Sequence, residues 1–472
     1  MNLRPTRSVQ TPEPRLSAAA GALILGGAHG SLAIARSLGR RGIPVFFLTH
    51  DHPIVKFSRY AGRYGSWSGP NHPASVEELL AFAGKGLSGW LLIPAGDAEV
   101  EFVARHREAL SKAFRVATPD WQIVKWACDK RLTYARAAAL DIPHPRSFYP
   151  KDRADLASID LAFPLILKPT TRDQPNEFTA AKAWRVDSRA QLLERYDRAK
   201  ALVPAPTIVV QELIPGGGES QFSYAACCVE GVPVASLVAR RMRQYPVDFG
   251  FTSTFVETVR QDEVERLSER FLRSLNYNGL AELEFKYDAR ERVFKLLDFN
   301  ARPWTWIGLG AKAGVDFGWI FWQIAAGQAV TPVRAEPGRA WMHVSRDLVA
   351  VWQHMRAGAM SCSDYLQSWR QPLSFAAYAP DDLLPGLIDL VVTTYRRAAR
   401  RLHRRAAARA AERPAVAGPD PWAKAVPRER SIITKAGLPE PTTLLRARLE
   451  AVKRSSIHTH APRGVASELG HE

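Results

Sequence analysis

Two short stretches gather acids at a spacing that can hold a cation. In AELEFKYD (281–288) strand alternation puts Glu282 and Glu284 on one face, and in LDFN (297–300) it puts Asp298 and Asn300 on one face of the next run. Paired as a hairpin, the runs bring three hard oxygen donors together. Facing carboxylates repel, so a cation between them is the economical explanation, and Mg2+ bridging phosphates suits such ligands. The competing explanation is a solvated sheet face. Phe285, Leu296, Leu297 and Phe299 alternate in the opposite phase, as a core beneath the acids would.

Basic groups come next. Lys168 ends the apolar strand FPLILKP just before a proline, where its ammonium can leave the sheet and meet a phosphate. Lys130 sits on an amphipathic helix with Cys128, Asp129 and Arg131. Taken singly, each lysine also has the pattern of a solvated one. QELIPGGGE runs from a strand into three glycines, which let backbone N–H and C=O groups approach a flat ring. There Glu212 and Glu219 can accept from an amine and from ribose hydroxyls, although an ordinary flexible turn has the same composition.

The elements that position these groups follow from periodicity. GALILGGAHGSLAIARSLGRRGIPVFFLTHD gives strand, Gly-rich turn, amphipathic helix and strand, a βαβ unit with a parallel sheet. A helix around VEELLAFAG, a buried strand GWLLIPAGD and a helical stretch from Glu99 to Leu110 complete a Rossmann-like domain over 18–119. GGAHGS with Asp51 invites a dinucleotide site, but Gly26, Gly27 and Gly30 do not match G-x-G-x-x-G. His29, at the helix N-terminus, is a candidate contact for an anionic substrate or a solvated turn histidine. From Trp121 a helix leads through DIPHPRSF to FPLILKP and TIVVQELIPG, and two hairpins follow. QFSYAACCVEGVPVASLVARR turns at Glu-Gly, and the acid-rich hairpin is the second, so two α+β lobes face each other over 120–337. Residues 338–410 are expected to be a helical C-terminal region; 1–17 and 411–472 are expected to be disordered.

At 472 residues and 46% hydrophobic content the chain can bury two or three cores. Its four cysteines show no metal-ligand spacing, which points to a reducing cytoplasm, and no apolar stretch reaches membrane-spanning length. The formal charge of +17 is uneven: Arg396, Arg397, Arg400, Arg401, Arg404, Arg405 and Arg409 follow the apolar LLPGLIDLVVTTY. That juxtaposition fits peripheral contact with an anionic membrane surface, or a solvated basic tail.

In this order, a lysine on a helix, PLILKP, QELIPGGGE, a hairpin acid and then D-x-N-x-R, the motifs resemble those of the ATP-grasp superfamily, in its carboxylate–amine ligase branch. The resemblance covers about Ala22 to Gln328, and the combination is far more specific than any one motif. It implies a nucleotide between two α+β lobes behind a Rossmann-like domain. By the resemblance, Lys130 and Lys168 contact phosphates, Gln211, Glu212 and Leu213 form the adenine hinge, and Glu219 binds ribose. Glu284, Asp298 and Asn300 hold Mg2+ or Mn2+, and Arg302 faces the transferring phosphoryl group or the acyl phosphate. Arg240, Arg241 and Arg243, beside the implied cleft, are candidates for the substrate carboxylate; an exposed basic strand end is their other explanation. The chain departs from the family in two places. TTRDQPNEFTAAKAWRV has no glycine for a lid, leaving Lys182 or Arg172 to supply contacts, and Asp298 stands where Glu is usual. The implied activity joins a carboxylate to an amine at the expense of ATP. A kinase on the same fold and a basic membrane-surface or nucleic-acid binder are the rivals; Glu284 and Asp298 would repel nucleic acid.

Overall fold

A computed structural model describes residues 21–395 except 171–175, 182, 248–249 and 251. The expected disordered arm and tail, the arginine run from Arg396, and the lid candidates Arg172 and Lys182 lie outside the described residues.

The first sheet has five parallel strands, β1 (Ala22–Leu25), β2 (Val45–Thr49), β3 (Arg63–Ser66), β4 (Leu91–Pro94) and β5 (Arg115–Val116), in the order β3-β2-β1-β4-β5. Strands β1 and β4 are buried along their whole length, which is why they read as unbroken apolar runs. After β1 the chain turns on Gly26 and Gly27, with φ of 64° and 74°, and enters the helix His29–Gly39. A side chain at Gly26 would collide with the Glu99 carboxylate, so glycine is required there for space as well as conformation.

The second sheet holds β6 (Ser147–Phe148), β7 (Leu165–Pro169), β8 (Trp184–Val186) and β9 (Ile208–Glu212), antiparallel in the order β6-β9-β7-β8. The third has eight strands: β10 (Gln221–Val229), β11 (Val232–Tyr245), β12 (Thr252–Val259), β13 (Gly279–Asp288), β14 (Val293–Asn300), β15 (Val333–Arg334), β16 (Ala340–Met342) and β17 (Leu373–Phe375). Its order is β14-β13-β10-β11-β12-β16-β17, with β15 beside β11. Glu230 and Gly231, both at positive φ, make the two-residue turn between β10 and β11 that a tight hairpin needs. The helix Asp262–Ser274 covers this sheet with Val264, Leu267, Phe271 and Leu272, spaced along one helical face. Each such side chain contributes about 2 kcal/mol of burial.

Three expectations are corrected. The helix from Trp121 is two helices, Trp121–Cys128 and Lys130–Ala139, because the Asp129 carboxylate accepts from the Arg131 N–H and caps the second. The region after Gly338 is not only helical: β16 and β17 hydrogen-bond into the large sheet, and the helices Val344–Arg356 and Cys362–Gln367 accompany them. The alternation in β14 is broken by a bulge, since Glu284 pairs with Asp298 but Phe285 with Leu296, leaving Leu297 as an extra, half-buried residue. No helix among the described residues is long and apolar enough to cross a membrane.

Candidate active site

The β13–β14 register puts Glu282 opposite Asn300 and Glu284 opposite Asp298. The Asn300 amide donates to Glu282 Oε2 at 3.2 Å and lies 3.4 Å from Glu284 Oε1. Three cations from three different elements close on this face. Lys130 Nζ, on the first turn of its helix, is 2.5 Å from Asp298 Oδ1. Arg241 Nη2, from β11, donates to Glu284 Oε2 at 3.1 Å. Arg302, just past β14, donates to Asn300 Oδ1 at 3.3 Å and pairs with Asp97 at the start of the helix Asp97–Arg105. Burial works to lower the Arg302 guanidinium, but Asp97, Glu282 and Glu284 outweigh it and hold the charge. Burial, then the proximity of Glu284, raises Glu282 above the usual carboxylate range.

Lys168 reaches this face from the opposite lobe. Its Nζ donates to the Tyr134 hydroxyl at 3.3 Å, and that hydroxyl donates to the carbonyl of Leu297, the bulge residue next to Asp298. Tyr134 lies one helical turn after Lys130, so a single helix links the two lysines to the acid hairpin. The sequence reading did not single out Tyr134, although its i, i+4 relation to Lys130 marks it. It also passed over Arg241 as the partner of Glu284, Asp97 as the partner of Arg302, and Glu99.

The remaining predicted residues divide. The Gln211 amide donates to Ser147 Oγ at 2.7 Å. Leu213, half-buried, follows β9 and its N–H donates to the Pro164 carbonyl. Glu212 is not an open acceptor, a correction to the expectation for its side chain. Its carboxylate takes the Lys295 ammonium at 2.7 Å and the Arg146 N–H at 2.9 Å, at 4% exposure. Lys295 also lies 3.1 Å from Asp288 and 2.8 Å from Glu291, so its ammonium occupies the centre of the Glu212–Asp288–Glu291 acid cluster. Glu219 is exposed and accepts from the Gly217 N–H, and Arg240 donates to the Glu219 carbonyl at 2.7 Å.

Two substrate candidates are corrected. Arg243 is buried and bidentate to Asp347 at 2.9 and 2.7 Å, with a further bond to Ser368. It pins the helix Val344–Arg356 to the sheet; the irregular register around Arg243 turns it away from the face that Arg241 occupies. His29 is neither solvated nor presented to a ligand: at 2% exposure its Nε2 lies 2.8 Å from Asp389 Oδ1, and its ring packs 4.2 Å from that of His343. Burial lowers its pKa, against the opposing pull of Asp389.

Two facing α+β lobes, lysines from one side and ordered acids from the other, and a parallel five-stranded domain before them make up an ATP-grasp fold. The solved structures show the same fold. N5-carboxyaminoimidazole synthetase from Staphylococcus aureus complexed with ADP matches with a TM-score of 0.56 at 12% identity, over 73% of this chain and 87% of that one. L-amino acid ligase from Bacillus licheniformis matches with a TM-score of 0.52 at 16% identity, over 69% and 79%. By sequence, the chain is 22% identical over 244 residues to a D-aspartate ligase of Enterococcus faecium (strain Aus0004), 49% of this chain. It spans 58% of the length of that curated relative. No protein-family model matches.

Proposed function

We propose that the chain is an ATP-dependent ligase that joins a carboxylate to an amine through an acyl phosphate. One observation carries the reading: Lys168, Lys130, Arg302 and the Glu284–Asp298–Asn300 donors, drawn from both lobes, meet around Tyr134 and the β14 bulge. The relatives and neighbours, a D-aspartate ligase and an L-amino acid ligase among them, support it.

Glu284, Asp298 and Asn300 form an all-oxygen donor set on paired strands, and this fits Mg2+. Bound there, the ion would neutralise charge on the ATP phosphates. Lys130 and Lys168 bind the phosphates, the Gln211–Leu213 backbone borders the adenine, and Glu219 takes the ribose. The substrate carboxylate, held by Arg241, attacks the γ-phosphorus in line while the bond to the ADP oxygen breaks; Arg302 stabilises the transferring phosphoryl oxygens. The amine nitrogen then attacks the acyl carbon, the C–O bond to phosphate breaks, and the nitrogen loses a proton. Positioning supplies most of the acceleration, and no enzyme nucleophile is required. A reducing cytoplasm suits the four free thiols.

The test is ADP and phosphate release with ATP, Mg2+ and pooled amino acids and small acids. Release that depends on an added amine, lost in Glu284→Gln and in Lys168→Ala with unchanged melting, is the expected result. Amine-independent ADP formation with a stable phosphorylated product would replace the ligase by a kinase, and full activity in both variants would overturn the site.

A further inference from the structure

Residues 383–395 form a helix whose polarity is inverted. Asp382, just before the helix, and Asp389, on the face turned to the protein, bind Arg36 and His29 at 2.8 Å each, and Ser345 adds a 2.6 Å bond to Asp389. The face turned outward carries Leu383, Leu384, Leu387, Leu390, Val391 and Tyr395, at successive turns of one stripe. Leu387 is 71% exposed, and Leu390 and Val391 are 56% and 57% exposed. A surface helix ordinarily buries its apolar stripe; here charged groups anchor the helix and the stripe is displayed.

The stripe continues onto neighbouring aromatic rings. Gly386 packs directly against Tyr378, whose ring lies 5.9 Å from Phe375, itself 5.9 Å from Trp369. Tyr378 and Trp369 are 47% and 41% exposed. Exposed Tyr and Trp beside an apolar stripe suit the boundary between water and lipid. Immediately after Tyr395 the sequence places seven arginines in residues 396–409, and no acid occurs between Asp389 and Glu412. The sequence that follows the stripe is therefore strongly cationic, the charge that an anionic lipid surface attracts.

We propose that the outward face of residues 383–395 is an anchor for an anionic lipid bilayer, its leucines entering the interface, with the net positive charge of the sequence that follows favouring anionic over neutral lipid. The inference stands on this surface and is independent of the ligase reading.

The test is co-sedimentation of the full-length protein with vesicles of phosphatidylcholine alone and of phosphatidylcholine mixed with phosphatidylglycerol. Binding to the mixed vesicles is expected, at least about tenfold weaker on the neutral ones and weakened by salt. Leu387→Glu with Leu390→Glu should reduce binding at least about tenfold with unchanged melting, and Leu387→Ser with Leu390→Ser is the milder check. Substituting Gln for Arg396, Arg397, Arg400 and Arg401 should weaken it about fivefold for each arginine that lies at the surface. Absence of binding to the mixed vesicles overturns the proposal. So does binding that the leucine variants leave unchanged, which would be charge attraction alone, or a dimer that those variants dissolve while vesicles capture nothing.

Discussion

The substitution Glu99→Gln should stabilise this protein by an amount that grows with pH. Glu99 lies on the helix Asp97–Arg105, 5% exposed, beneath the Gly-rich turn after β1. Burial, reinforced by Asp97 and Asp51 against a backbone hydrogen bond, pushes its carboxyl up from 4.5 to about 7. Between those two values the folded chain holds a proton that the unfolded chain has released, so stability falls as pH rises through that window. Above it the carboxylate is charged in both states, and the full cost remains: a shift of about 2.5 units at about 1.4 kcal/mol each gives about 3.5 kcal/mol. At about pH 5 the same linkage gives about 1 kcal/mol. Glutamine keeps the shape and never ionises. With an unfolding entropy of about 2.1 cal/mol/K per residue over roughly 370 residues, the variant should melt about 1 °C above the parent at pH 5 and about 4 °C above it at pH 8.5. Melting curves of both proteins across that range, followed by circular dichroism, read the difference directly. A gap that stays constant or narrows with rising pH would refute the linkage.

Arg243→Gln should cost about 3–5 kcal/mol of stability, because it leaves Asp347 buried without its counter-ion, while the KM for the carboxylate substrate stays unchanged; a KM effect without a melting shift would return Arg243 to the substrate site. Lys295→Met should expose Glu212, Asp288 and Glu291 to one another, lower the melting temperature, and make it rise with added Ca2+, a response absent from the parent. A thiol reagent should modify exposed Cys362 quickly and reach buried Cys227 and Cys228 only on unfolding, since burial pushes both thiols well up; fast loss of more than two thiols in the native protein would contradict that packing.

The acid hairpin was legible because strand alternation has period two and both runs obey it up to Glu284 and Asp298. Where one residue is added, as at Leu297, alternation predicts the wrong face, and the bulge is what brings a backbone carbonyl to Tyr134. The same limit separates Arg241 from Arg243: identical side chains two residues apart would share a face on an ideal strand, yet irregular pairing sends one to Glu284 and the other to Asp347. His29 failed for another reason. Its partner is 360 residues away, and no local pattern announces Asp389. Likewise β16 and β17, three residues each, are too short to stand out from the helices around them and are fixed only by long-range pairing.

The two acid clusters show why one is structural and the other suits a ligand. In the first, Lys295, 2% exposed, contacts all three carboxylates, and Arg290 adds bonds to Asp288 and Glu212. Glu212 and Asp288 are buried with it, so removing that ammonium would leave them short of counter-charge, and the arrangement resists opening. In the second, Lys130, Arg241 and Arg302 come from a helix, a strand and a loop, and each contacts a different acidic or amide side chain. Arg241 also bonds Gln221 and Gln244, and Arg302 also pairs with Asp97, so a polyanion entering between the lobes can draw the cations toward its phosphates and release the oxygens of Glu284 and Asp298 for a metal ion. The half-buried setting of Lys130, Glu284 and Asp298 is thus what lets this acid cluster exchange partners while the buried one cannot, and it is the feature to preserve when the site is tested by substitution.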